Sequence, residues 1–214
     1  MARIPNGILG DFVGTAGPVS GYMRMSTNFV RSKRRRSTLP MTEKRLAQQQ
    51  KIKVCNEFTR AFSGSGFFDA TFRGYSEKTA TGYNKATSAL LKKAITGTYP
   101  DTALAWPLVL VSEGGMPSAM NAAAAADGAG TIVFTWTNIR GTGSAKDTDK
   151  AVLVAYFTSV KQAVFIISDS RRADEQATLN IPLLGDNVAE TWLGFISDDG
   201  KDAADSVYAG SVAL

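Results

Sequence analysis

The sequence contains no histidine and a single cysteine, Cys55. Without histidine it lacks the commonest general base, the Ser-His and Cys-His nucleophile pairs, and the commonest metal ligand. One cysteine excludes an internal disulfide framework and structural zinc sites of the Cys-rich kind. Carboxylates remain. Asp198, Asp199, Asp202 and Asp205 surround Gly200, but they do not follow the D-x-D-x-D-G spacing of a calcium loop and read as hairpin turn chemistry. Asp147 and Asp149, before Lys150, read as a loop. These residues predict a non-enzyme with no catalytic residues, no metal and no cofactor.

Long hydrophobic runs are missing too. No apolar stretch reaches the roughly 18 residues of a membrane-spanning helix. The opening M-A-R-I-P-N-G-I-L-G lacks the apolar core of about 7–15 residues that a secretory signal carries. The expected location is therefore the cytoplasm or a particle assembled there, with no membrane partner. Hydrophobic residues at 44% and charged residues at 20% nonetheless permit a packed core. Cys55 lies in an apolar helical stripe and reads as a small buried hydrophobe.

Charge is present but unevenly spread. Residues 1–100 carry 17 Lys and Arg against 5 Asp and Glu, a net of +12, whereas residues 101–214 carry 7 against 14, a net of −7. A basic half can neutralise phosphates, or it can dock on the acidic half of a neighbouring copy. The sharpest feature is Arg31-Ser-Lys-Arg-Arg-Arg36, five cations within six residues. If Arg31, Lys33, Arg34, Arg35 and Arg36 all met phosphates, affinity would fall with salt at a log–log slope of roughly −3.5 to −4.5. Lys44 and Arg45 extend this candidate nucleic-acid surface. No groove-reading helix or aromatic RNA-binding consensus accompanies it, so its contacts would read backbone rather than bases.

The segment before the cluster is broken by Gly7, Gly10, Gly14, Gly17 and Gly21. Glycine frees backbone angles and removes bulk, which suits a chain lying against another surface better than an independent fold. Ile4, Ile8, Leu9, Phe12, Val13, Tyr22 and Phe29 make it too apolar for a solvated tail. Residues 1–40 are therefore expected to be an extended, Gly-rich basic arm that orders by packing, either on its own domain or on neighbouring subunits in self-assembly. No Gly spacing matches a phosphate-binding loop.

Further along, periodicity predicts two helices. Ala47, Val54, Cys55, Phe58, Ala61 and Phe62 recur at helical spacing over 42–62, with Thr42 as N-cap. Tyr83, Ala86, Leu90, Leu91, Ala94 and Ile95 do so over 76–96, with Gly97 beyond the C-cap. A strand is expected over 104–111. From 116 onward the pattern turns to β, with strands expected over 119–125, 131–137, 151–157, 162–168, 177–182, 191–197 and 206–213. The expected architecture is α+β: an arm (1–40), a helical region with one strand (41–115), and a seven-stranded immunoglobulin-like β-sandwich (116–214).

The opening M-A-R-I-P-N-G-I-L-G-D-F-V-G-T-A-G-P-V-S-G-Y, the central M-T-E-K-R-L-A-Q-Q-Q-K-I-K-V, the segment A-I-T-G-T-Y-P-D and the ending F-I-S-D-D-G-K-D-A-A-D-S-V-Y-A-G-S-V together resemble one family. It is an uncharacterised family of similar length found in Bacteroidota and their phages. That resemblance implies a shared build and supplies no catalytic residues. Phe134-Thr-Trp136, Tyr156 and the terminal D-G-K…S-V-Y pattern are similar to fibronectin type III modules, which bears on fold alone.

Three functions follow as expectations. The first is a structural protein, such as a phage virion component, that associates with itself through its arm and its oppositely charged faces. The second is a sequence-independent nucleic-acid-packaging protein. The third is an adhesion or ligand-binding sandwich module.

Overall fold

The computed structural model describes residues 10–24, 26–34, 38, 40–72, 81–128, 130–139, 143–182 and 188–214. The chain divides into two compact units, Met1–Thr42 and Glu43–Leu214.

In the first unit the expected extended arm is instead a β-meander. Strands β1 (Gly14–Ala16), β2 (Val19–Arg24) and β3 (Thr27–Ser32) pair antiparallel in the order β1-β2-β3. Glycine builds this sheet rather than breaking it. Gly17, at φ +55°, opens the two-residue turn between Ala16 and Val19, where a tight hairpin needs a positive φ. Gly21 sits where the ring and carbonyl of Phe12 press in, so a Cβ there would collide with both. The Asn28 Nδ2 donates to that same Phe12 carbonyl at 3.1 Å.

The second unit opens with α1 (Glu43–Arg60), where Glu43 at the start and Arg60 at the end suit the helix dipole and Lys44 and Arg45 of the first turn oppose it. Its buried face carries Cys55, Phe58 and Thr59. Two corrections follow. A short helix absent from the periodicity, α2 (Phe67–Thr71), comes next, so among the described residues three helices stand where two were expected. The expected 76–96 helix is α3 (Gly82–Ala89), capped by Thr81 and continued by a single π turn over Leu90–Ala94; its stretch before residue 81 lies outside the described residues.

The expected strand over 104–111 is also corrected. A two-residue strand β4 (Ile95–Thr96) pairs with β5 (Ala103–Leu104), and Trp106–Leu108 forms a 3-10 turn. Pro107 fixes φ and lacks the N–H a ladder needs, so the apolar run cannot continue as strand. The chain instead crosses beneath the later β region, where the Ser206 Oγ accepts from Val111 N at 2.9 Å and the Ser112 Oγ donates to the Ala204 carbonyl at 2.7 Å.

Seven strands then follow: β6 (Met120–Ala126), β7 (Thr131–Thr137), β8 (Lys150–Phe157), β9 (Gln162–Arg171), β10 (Gln176–Asn180), β11 (Val188–Ile196) and β12 (Val207–Ala213). They form two antiparallel sheets, three-stranded β10-β7-β6 and four-stranded β12-β11-β8-β9. Alternate residues of β8 serve different cores, as the period-two geometry of a strand requires. Ala151, Leu153, Ala155 and Phe157 cluster with Ile132, Phe134 and Trp136 of the three-stranded sheet. Val152, Val154 and Tyr156 join Trp192 and Cys55, Phe58, Phe68 and Leu90 of the helices, with Phe62 from the turn after α1. The four-stranded sheet is thus covered on both faces, and for that reason the unit does not divide at residue 116 as expected.

Candidate functional site

The register of the first unit sorts the predicted arm and basic residues onto two faces. Tyr22 pairs with Phe29 and Ser20 with Arg31, so these four share one face with Arg24 and Thr27. The Tyr22 and Phe29 rings stack with centroids 5.6 Å apart and planes 19° from parallel. The Arg31 guanidinium carbon lies 5.1 Å from the Tyr22 centroid, a cation–π distance. The Tyr22 ring thus meets both the Phe29 ring and the Arg31 guanidinium on one face of the sheet. Tyr22 and Phe29 are 39% and 41% exposed.

On the opposite face Gly21 pairs with Val30 and Met23 with Asn28, with Val19 and Ser32 alongside. Phe12, half-buried, covers Gly21 on this side. This face has no charged residue within the paired strands. Val30 is 60% exposed and Met23 40%.

Beyond β3, the Lys33 amide donates to the Pro18 carbonyl at 2.7 Å, which ties the start of the basic run to the first turn. Lys33 and Arg34 are exposed, as is Val13 just before β1. Arg35, Arg36, Ile4, Ile8 and Leu9 lie outside the described residues. Residues 1–42 hold seven Lys and Arg against one acid, a net of +6, whereas 43–214 hold 17 against 18, a net of −1. The cationic excess of the protein thus resides in its smaller unit. Lys44 and Arg45 belong to the other unit, exposed on the first turn of α1.

Sequence reasoning named Tyr22, Phe29 and Arg31 but assigned them to separate tasks, aromatics to assembly and cation to phosphate. The strands' register joins them and adds Arg24. The available signal was faint: V-S-G-Y-M-R and T-N-F-V-R-S, each holding β-favouring residues such as Val, Tyr, Phe and Thr, stand on either side of a two-residue gap.

Elsewhere the expected turn chemistry of the acidic cluster is visible. The Asp199 carboxylate accepts from the Ser197 hydroxyl and the Lys201 amide, and these bonds hold its pKa down at about 2. Asp202 and Asp205 accept from the amides of Gly115 and Gly114, fastening the crossing segment. Among the described residues no group of three or more acidic or cysteine side chains is placed to hold a metal ion. An open groove of about 570 Å³ beside α1 is lined by Gln49, Ile52, Lys53, Asn56, Glu57, Arg60 and Tyr83. No nucleophile there is paired with a base. No helix among the described residues is long and apolar enough to cross a membrane.

A family of unknown function, DUF6266, matches residues 11–210 of the chain. The chain belongs to that family. The match takes in both units, from β1 to the middle of β12, so the family's extent covers the region of the meander as well as the larger unit. No curated protein and no solved structure matches the chain.

Proposed function

We propose that this DUF6266 protein is a non-enzymatic structural protein that assembles with copies of itself into a particle or filament, using the uncharged face of its N-terminal meander. The observation that carries this reading is the exposure of Val30 and Met23 on a three-stranded sheet with no charge on that side. Small meanders gain independent stability by packing one face, and exposed contiguous apolar surface marks an interaction site. We take the partner to be a second copy, the net +6 of residues 1–42 being complementary to the acidic excess of −7 in residues 101–214. The rigid body of the assembly is the larger unit. We read its seven strands as a fibronectin type III-like sandwich, a reading supported by the three-plus-four division and by the orders β10-β7-β6 and β12-β11-β8-β9.

Sedimentation velocity over a range of concentrations tests the assembly. The wild-type chain is expected to self-associate, less strongly at high salt, and Val30→Ser with Met23→Ser to shift it to monomer. A wild-type chain that stays monomeric throughout removes the proposal.

The charge of the first unit favours a second reading, binding of a polyanion by the same unit. Net +6 on 42 residues, continuing into the basic run, is the footprint expected of a phosphate-neutralising surface.

A further inference from the structure

The cationic face of the meander carries more than charge. Two aromatic rings, 39% and 41% exposed, stand stacked on its sheet, with the Arg31 guanidinium over the Tyr22 ring. Phosphate neutralisation alone needs no aromatic surface, and apolar self-association is poorly served by a face bearing Arg24 and Arg31. Rings and guanidinium together match a chain that alternates flat, unpaired bases with phosphates.

We propose that the Tyr22–Phe29 face binds single-stranded nucleic acid, a base stacking on the exposed aromatic surface while Arg31, Lys33 and Arg34 neutralise the adjoining phosphates. The inference rests on the polyanion reading and sharpens it, because duplex bases are already stacked and offer this face only their backbone. Lys33 and Arg34 follow β3 directly, so they lie within a few residues of the stack along the same strand direction. Thr15, Ser20 and Thr27 give the face hydroxyl groups rather than a fixed base-reading pattern, so no sequence preference is expected.

Fluorescence anisotropy with the full chain tests this, using a labelled thymidine homopolymer and a duplex of equal length at several salt concentrations. The single strand is expected to bind more tightly than the duplex. Phe29→Leu, which keeps the apolar bulk and removes the ring, is expected to weaken single-strand binding about tenfold, with duplex binding and the salt slope unchanged. Lys33→Ala with Arg34→Ala is expected to weaken both and flatten both slopes. Tyr22→Leu provides a second variant at the stack, and unchanged far-ultraviolet dichroism confirms that each variant is folded. Equal binding of strand and duplex, indifferent to Phe29→Leu, overturns the stacking proposal and leaves the polyanion reading standing. Binding of neither at low salt overturns both. Loss of self-association, rather than of oligonucleotide binding, in Phe29→Leu assigns this face to a second copy and overturns the proposal.

Discussion

Asp149 illustrates how far a residue's role can depart from its sequence setting. Between turn residues it reads as loop solvation, yet its side chain is 1% exposed and its Oδ2 lies 3.3 Å from the Nε of Arg172, itself 2% exposed. Other parts of Arg172 are engaged as well. Its Nη2 donates to the Pro117 carbonyl at 2.9 Å, its guanidinium covers the Phe195 ring at 3.9 Å, and its own carbonyl accepts from the Trp136 indole at 2.8 Å. Burial pushes the guanidinium below its usual pKa range, with Asp149 opposing. Removing one partner strands the other, so Asp149→Asn is expected to cost about 3–5 kcal/mol. Asp149→Leu with Arg172→Met is expected to cost less than the sum of the two single changes. Urea unfolding of the wild type and these variants checks this, and a cost below about 1 kcal/mol for Asp149→Asn would show that the pair is not a structural clamp. Cys55 matches its sequence reading. It is fully buried, and burial pushes its thiol up to about 11, so little thiolate forms near neutrality. It is expected to resist a thiol reagent at pH 8 in the native protein and to react fully in urea; rapid native reaction would contradict its place in the core.

Among the elements, β8 was the most legible and α2 the least. The run A-V-L-V-A-Y-F is apolar at every position, as a strand buried on both faces must be. The identity of the outer cover was not legible, because periodicity reports that a face is buried and not what buries it. The cover is the helical layer, and Phe58 is its keystone. Its ring lies 4.9 Å from Tyr156, 5.8 Å from Trp192 and 5.3 Å from Phe62, bridging helix and sheet. Phe58→Ala is expected to cost about 3–5 kcal/mol, read from the shift in denaturation midpoint, with loss of near-ultraviolet dichroism from Trp106 and Trp192. A cost under about 1 kcal/mol would mean that the helices rest on the sheet without sharing its core. Helix α2 escaped notice because five residues are too few to display a helical period; Phe67, Phe68 and Thr71 are buried by tertiary packing rather than specified by local propensity.

On the scale of the whole molecule, the division at residue 42 separates two kinds of surface. Both buried cores of the larger unit are built from residues beginning at Cys55, so residues 43–214 contain their own hydrophobic clusters. A fragment of 43–214 is therefore expected to fold cooperatively, with a melting temperature within a few degrees of the full chain, and to be monomeric and unable to bind oligonucleotide. Calorimetry and sedimentation of that fragment check all three. A fragment that fails to fold would show that the first unit is needed for the stability of the second.

Composition by itself settled what chemistry the chain cannot draw on, since residue types that are absent cannot be supplied by folding. Alternation and turn residues likewise located all seven later strands to within a few residues, because a strand's burial pattern is local. What tertiary structure alone decided were pairings: Tyr22 beside Phe29 under Arg31, Asp149 against Arg172, and the helices over β8. Each depends on register or on contacts between distant segments, and those are chosen by the packing of the whole chain rather than written in any one stretch of it.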